Sequence, residues 1–341
     1  MKSRYTIVLI IFLLLNLSFR LNYNASHKIY SLSGTAQGTS YSIKYKYHKE
    51  VVKQQEIDSI FTVFDLSLSR YNKASLLYKL NKARSKASID GHLLCVLQYA
   101  QEMALKTNGC FEYKLLPLLE LWGFGNNRRA IYPDSNQVKK TLYYTRYNKL
   151  KISKLLAFKS SKTLAIDLDG IAQGYCVDEL SKFLESKGVR DFIVEIGGEV
   201  FVSGADLENN SWKVGLGDGQ DVEEKNKQMV LRGMNQVGVT TSGSLQKFKK
   251  IGGQYFSHIL DPRTGYPVQN GIVSVSVIAP STMQADALDN AFMVMGIKDS
   301  FEWCSNYSNV GIYMTYVNAK GEIVDTANGY FKQFLQIKNR N

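Results

Sequence analysis

The sequence has few cysteines and no two of them at the spacing of a metal or redox motif. The four cysteines, Cys95, Cys110, Cys176 and Cys304, lie far apart, and no Cys-x-x-Cys pair occurs. This argues against a zinc cage and against a redox dithiol. We expect scattered buried thiols, and the spacing leaves a disulfide open.

The sequence also lacks the signatures of common nucleic-acid and nucleotide folds. The 341 residues contain no zinc-finger spacing, no aromatic RNA-binding signature, no Gly-x-Gly-x-x-Gly and no Walker A loop. The formal charge of +12 comes from Lys and Arg spread along the chain. We therefore expect a basic, solvated surface and no nucleic-acid partner. A charge of this sign also suits anionic lipid or a polyanionic cofactor.

The apolar run near the N-terminus is shorter than the roughly 20 residues that a membrane-spanning helix needs. It extends from Ile7 to Phe19 and follows Lys2 and Arg4, which is typical of an export signal. No small-x-small cleavage site follows, and no cysteine is placed for lipid attachment. A cleaved signal peptide and an uncleaved anchor both stay open, with the anchor favoured. We assign residues 1–28 to this segment and place the rest of the chain beyond a membrane.

Strands and helices follow one another without strict alternation, which predicts an α+β fold. The pattern over residues 29–47 predicts two strands joined by a glycine-containing turn, and the patterns over 57–66 and 93–107 predict helices. A short strand from Ile166 is expected to lead into a helix that ends near Gly188. The chain is long enough for one large domain or two lobes.

The residues best suited to chemistry lie near the end of the chain. The alternation over residues 273–277 predicts a half-buried strand, and residues 285–296 predict an apolar helix. On that helix Asp286, Asp289 and Asn290 lie near one face. Oxygen ligands on one helical turn suit Mg²⁺. The alternative is that the two carboxylates only complement the helix N-terminal dipole.

Two other stretches carry weaker signals. Gly170 and Gly174 lie at the predicted strand-to-helix junction, where glycine frees backbone N–H groups for phosphate. Tyr71, in a polar loop, suits stacking on a planar ring, or else covers the core.

Together these stretches resemble the FAD:protein FMN transferase family, the ApbE-type flavin transferases. The matching pieces run in the family's order and cover about residues 30–335. They are residues 34–45, 69–71 with 75–81, 109–125, 166–178, 195–199, 241–243, 257–267 and 285–296.

The resemblance implies a fold, an activity and a location. The fold would be a two-lobed ApbE-like (T-fold-type) catalytic domain over residues 29–341, with the active site in the cleft between the lobes. The activity would be Mg²⁺-dependent transfer of FMN from FAD to a Thr or Ser hydroxyl of an acceptor flavoprotein, with release of AMP. The location would be extracytoplasmic, on the periplasmic side. The implied acceptors are subunits of membrane redox complexes of the sodium-translocating NADH:quinone reductase (Nqr) or Rnf type.

The resemblance also assigns site residues. The metal ligands would be Asp286, Asp289, Asn290 and the backbone of Gly170. The FAD contacts would be Gln37, Tyr71, Cys110, Phe111, Glu112, Asp167, Gln173 and the backbone of Ile259 and Leu260. His258 would activate the acceptor hydroxyl.

Several of these positions depart from the family's usual residues. The departures are Gln37 for Met, Glu112 for Asp, Lys114 for Thr, Asp169 for Gly, Gln173 for Lys and Asn290 for Thr. Asn290 still offers a metal an amide oxygen. The loss of a Lys at position 173 removes a charge that could offset phosphate. We therefore expect the scaffold that binds FAD to persist, whereas these departures put the rate of FMN transfer in question.

The chemistry leaves alternatives open. His258, one of four histidines, adjoins an Asp-Pro-Arg-Thr-Gly turn and is the candidate general base; otherwise it bonds to loop backbone. Arg263 either contacts phosphate or braces the turn against Asp261. Competing activities are an FAD pyrophosphatase, in which water replaces the hydroxyl, and a non-catalytic FAD-binding protein. Asp286, Asp289 and His258 together favour catalysis.

Overall fold

The computed structural model describes residues 27–125, 132–216, 227–243, 248–251 and 254–339. The predicted N-terminal export segment lies outside these residues except for its last two positions. Within the described ranges, no helix combines the length and the apolar character needed to cross a membrane.

The helices of the described residues are α1 (Gln54–Leu68), α2 (Leu76–Lys82), α3 (Gly91–Lys106), α4 (Leu116–Leu121), α5 (Ser135–Tyr147), α6 (Ala172–Ser186), α7 (Thr282–Met295), α8 (Ile297–Ser305) and α9 (Gly329–Lys332).

The strands of the described residues are β1 (Lys28–Ala36), β2 (Thr39–Tyr47), β3 (Lys86–Ser88), β4 (Leu150–Ser153), β5 (Leu156–Lys159), β6 (Asp191–Ile196), β7 (Glu199–Ser203), β8 (Val214–Leu216), β9 (Lys227–Leu231), β10 (Val237–Gly243), β11 (Phe248–Ile251), β12 (Gln254–Ser257), β13 (Ile272–Ala279), β14 (Gly311–Val317), β15 (Ile323–Ala327) and β16 (Leu335–Asn339).

A central antiparallel sheet organises these elements. Its eight strands run in the order β1-β2-β6-β7-β10-β13-β14-β15. Two three-stranded sheets, β16-β9-β8 and β3-β5-β4, and the β11-β12 hairpin complete the described strands. Antiparallel pairing with interspersed helices confirms the predicted α+β class.

Both faces of the central sheet are covered. Val275 and Val277 of β13 pack in the main core with the helices, whereas Ile278 packs in a second core with strands β8 and β9. The alternation in β13 predicts one solvated face, but all eight residues of the strand are buried. The hydroxyl of the buried Ser276 lies 2.8 Å from that of Thr241, so this polar group keeps a hydrogen-bond partner.

Helices α6 and α7 are closely packed, and each carries a carboxylate that caps the N-terminus of the other. Asp178 of α6 accepts hydrogen bonds from the backbone N–H groups of Thr282 (2.7 Å) and Met283 (2.9 Å). Asp286 of α7 accepts one from Gly174 N–H (3.0 Å), in the first turn of α6. A Cβ at Gly174 would lie 2.5 Å from the Thr282 carbonyl oxygen. Only glycine allows this approach, and the two carboxylates satisfy N–H groups that a helix start leaves without partners.

Two sequence expectations need correction. Residues 166–168 form no regular strand: Asn81 instead pairs with both backbone groups of Ile166, at 2.8 and 2.7 Å. The cysteines are all free, which removes the disulfide, and Cys95 is exposed rather than buried because it lies on the solvent side of α3.

The cap supplied by Asp178 should be measurable as stability. Burial raises the pKa of Asp178 to about 6, against the effect of its N–H donors, so it is ionised at neutral pH. We expect Asp178→Ala to lower the free energy of unfolding by about 2 kcal/mol in urea denaturation at pH 7.5, because two N–H groups lose their acceptor. Ser281→Ala, which removes the same helix's own N-cap bond to Gln284 N–H, should cost about 1 kcal/mol. An equal or smaller cost for Asp178→Ala would contradict this role.

Candidate active site

The site is centred on two carboxylates of α7. Asp286 and Asp289 are 3% and 2% exposed. Asp286 is oriented by Gly174 N–H. Asp289 accepts hydrogen bonds from the Ser242 hydroxyl on β10 (3.1 Å) and from the Asn290 side-chain amide (2.9 Å). Both carboxylates are therefore fixed in direction before any ligand binds.

The electrostatic environment of these carboxylates is unfavourable for negative charge. Burial raises the pKa of Asp286 well above its usual value, and the charges of Glu199 and Asp289 raise it further. Burial likewise raises the pKa of Asp289, Glu199 adds to the effect, and the Ser242 hydrogen bond opposes it. Among the described residues, no lysine or arginine is a leading influence on the pKa of either carboxyl. A cation placed here would relieve this repulsion.

The other two expected metal ligands lie beside each other. Asn290 donates its amide N–H to the Asp286 carbonyl oxygen (3.0 Å), so its own side-chain oxygen stays an acceptor. A Cβ at Gly170 would come within 3.0 Å of the Asn290 side-chain nitrogen, which places the Gly170 backbone against this amide. Among the described residues, no group of three or more His, Cys, Asp or Glu is arranged as a metal cage. The expected set contains only two carboxylates, and with its amide and carbonyl oxygens it is an all-oxygen donor set that fits Mg²⁺.

An ionic cluster links the loop before α6 to the end of α1. Arg70, 6% exposed, bonds Asp169 through Nε (2.8 Å) and Nη2 (2.7 Å), and its Nε lies 3.5 Å from Asp167. The Tyr71 hydroxyl donates to Asp169 (3.1 Å). Burial raises the pKa of Asp167 to about 7, Asp169 raises it too, and Arg70 lowers it. Tyr71 and Asp167, two of the expected FAD contacts, thus share one cluster.

Gln37 lies in the tight turn between β1 and β2. Gln37 and Gly38 have φ angles of 53° and 79°, as a two-residue hairpin turn requires. The side-chain nitrogen of Gln37 donates to Cys176 Sγ of α6 (2.9 Å). Its side-chain oxygen is buried, and no described residue supplies it with a hydrogen bond. A strained, incompletely bonded glutamine is typical of a functional position.

The stretch after α3 has its polar groups largely paired. Cys110 and Phe111 are buried in the main core. Glu112 accepts from Lys114 N–H (2.9 Å) and lies 3.4 Å from Lys114 Nζ. Lys114 therefore neutralises Glu112. Their expected contact with FAD stays a prediction, as does that of Gln173, in the first turn of α6.

His258 directly follows β12 and is half-buried, and the neighbouring Ile259 and Leu260 are buried. Val268 N–H donates to the Ile259 carbonyl (2.9 Å). Arg263 pairs with Asp261 (2.9 Å) and donates to the Val294 carbonyl (3.0 Å) at the end of α7. The bracing interpretation of Arg263 is the one that its contacts support.

Several residues at the site have contacts that sequence patterns did not reveal. Ser242, Arg70 and Asp178 act on partners 47, 99 and 104 positions away. Residues 69–71 and 241–243 belong to stretches that resemble the family, and this resemblance was the signal that could have marked Arg70 and Ser242. Their partners, however, are set by tertiary packing.

Sequence comparisons match this chain to proteins of one family. The sequence profile of the ApbE family matches residues 37–314. The FAD:protein FMN transferase of Haemophilus influenzae is 28% identical over 324 residues, 91% of this chain and 93% of the relative. That of Vibrio cholerae is 31% identical over 272 residues, 78% of this chain and 81% of the relative.

Solved structures give the same result for the fold. The flavin transferase ApbE from Vibrio cholerae has a TM-score of 0.79 at 28% identity, covering 90% of this chain and 99% of that chain. The apo form of the Pseudomonas stutzeri flavinyl transferase ApbE has a TM-score of 0.79 at 25% identity, covering 90% and 97%. The chain belongs to the ApbE family.

Proposed function

We propose that this chain is an FAD:protein FMN transferase that moves FMN from FAD to a Thr or Ser hydroxyl of an acceptor flavoprotein. The observation that carries the proposal is the pair of buried, mutually repelling carboxylates Asp286 and Asp289 beside the Gly170 backbone. The names of the relatives across nearly the whole chain support the same activity.

The reaction would exchange one phosphorus–oxygen bond for another. The acceptor hydroxyl oxygen attacks the FMN-side phosphorus of the FAD diphosphate, and the bond to the AMP phosphate breaks, so AMP leaves. A Mg²⁺ held by Asp286, Asp289, Asn290 and the Gly170 carbonyl would neutralise phosphate oxygens and stabilise the leaving group. The N-terminal turn of α6 would supply a positive dipole end suited to phosphate, while the Gly174 N–H in that turn is bonded to Asp286.

The attacking hydroxyl must lose its proton, and His258 is the residue that we assign to accept it. It lies between β12 and the buried pair Ile259–Leu260 and is itself half-buried. Tyr71 and Gln37 would contact the flavin ring, with Asp167, Gln173 and residues 110–112 holding the rest of FAD.

We further propose that the acceptor is a subunit of a membrane redox complex of the Nqr or Rnf type and that the enzyme works on the extracytoplasmic side. The apolar run after Lys2 and Arg4 supports export and attachment to the inner membrane.

The transfer itself is tested by incubating the full chain with FAD, Mg²⁺ and a candidate acceptor domain. We expect a fluorescent acceptor band on a denaturing gel, heavier by one FMN phosphoryl unit in the mass spectrum and lost with EDTA. Release of AMP and free FMN by the enzyme without any acceptor would instead identify a pyrophosphatase. Bound FAD that stays intact with Mg²⁺ and several acceptor domains would identify a binding protein.

Replacing His258 should separate binding from chemistry. We expect His258→Ala to keep its affinity for FAD and to lose transfer by about 10²–10⁴-fold, the usual contribution of a positioned base. His48→Ala is the matched control, since His48 is an exposed histidine just beyond β2, where its ring packs against that of Tyr47. Unchanged transfer in His258→Ala would exclude it as the base.

Replacing Asp289 should separate stability from metal binding. Because burial raises its pKa, the charged form disfavours folding, so Asp289→Asn should leave the melting temperature without metal unchanged or higher. The same variant should lose the Mg²⁺-induced rise in melting temperature and the Mg²⁺-dependent turnover. An Asp289→Asn variant that keeps both responses to Mg²⁺ would contradict this role. The control is Asp325→Asn, a substitution of the same kind on the peripheral strand β15.

A further inference from the structure

Arg70 is a buried cation placed directly beneath an exposed aromatic ring. Its Cζ lies 4.5 Å from the centroid of the Tyr71 ring. Arg70 is 6% exposed, whereas Tyr71 is 60% exposed. The guanidinium therefore contacts one face of the ring, and much of the ring stays accessible to another molecule.

A second contact fixes the ring at its far end. The Tyr71 hydroxyl donates to the same Asp169 oxygen that accepts from Arg70 Nε and Nη2. The backbone N–H groups of Tyr71 and Asn72 also donate to the Ser69 hydroxyl (3.3 and 3.1 Å). An exposed tyrosine ordinarily samples several rotamers, and this one is restrained at its base, its face and its hydroxyl.

The arrangement is costly as a purely structural device. Arg70 Nη1 is buried and has no hydrogen-bond partner within the described part of the chain, and a buried N–H of a charged group left unpaired destabilises the fold. The ring that it supports gains little burial in return. An exposed aromatic ring kept rigid lowers the entropy lost when a planar ligand stacks on it.

We propose that Arg70 is a positioning residue that, with Asp169, holds Tyr71 in the orientation in which its open side stacks on the flavin ring. Arg70 then contributes to FAD affinity without touching the flavin. The inference rests on the proposed function only in that the ligand is a flavin, because it concerns binding and not transfer.

The test is a double-mutant cycle on FAD binding, measured by quenching of flavin fluorescence without acceptor protein. Arg70→Lys cannot supply a planar guanidinium that both stacks and bonds Asp169. We expect it to raise the Kd for FAD about tenfold, the scale of one aromatic contact. In a Tyr71→Leu background the same substitution should have no further effect. Asp169→Asn, which keeps the side-chain shape, should behave like Arg70→Lys in both backgrounds.

The outcomes are distinct. Equal weakening by Arg70→Lys with and without Tyr71 would overturn the proposal, because Arg70 would then act on the ligand or the fold directly. An unchanged Kd in Arg70→Lys would also overturn it. Lys187→Met is the control, because Lys187 lies 5.0 Å from the Phe183 ring at the other end of α6 and should leave the Kd unchanged. A wild-type chain that binds FAD but labels no acceptor would defeat the proposed function alone, and one that binds no flavin would defeat both.

Discussion

The reciprocal capping of α6 and α7 is the constraint on which the site depends. Asp178 and Asp286 are both buried, and each accepts hydrogen bonds from backbone N–H groups of the opposite helix. The exchange locks the two helix starts together, and Gly174 permits the close approach. As a result, residues 170–174 and the acidic face of α7 meet with little freedom. The proposed alignment of a metal with a diphosphate would benefit from such rigidity.

The same packing creates the electrostatic problem that a cation would resolve. Asp286 and Asp289 are buried near Glu199, and their pKa values are raised by burial and mutual repulsion. Folding tolerates this because hydrogen bonds from Gly174 and Ser242 compensate in part. Stability is thus reduced locally where charge is needed for function, a pattern typical of catalytic centres.

Opposite charges organise the ionic cluster beside this site. There Arg70 pairs with Asp169 and lies near Asp167, beside an exposed tyrosine. Glu112 and Lys114 form a second pair. The departures from the family's usual residues at 112 and 114 therefore compensate each other, and that at 169 is matched by Arg70. Gln173 is uncharged and forms no such ion pair, so the consequence of this departure would be read from the transfer rate.

The sequence by itself determined the local elements and the residue types of the site. Periodicity located α1, α3 and α7, and the spacing of Asp286, Asp289 and Asn290 put them near one face. Only tertiary structure decided which distant groups pair: Arg70 with Asp169, Ser242 with Asp289, Asp178 with α7. It also decided that β13 is buried on both sides and that residues 166–168 are not a strand. Periodicity reports one element's own faces, whereas partners and coverage depend on how separate elements pack.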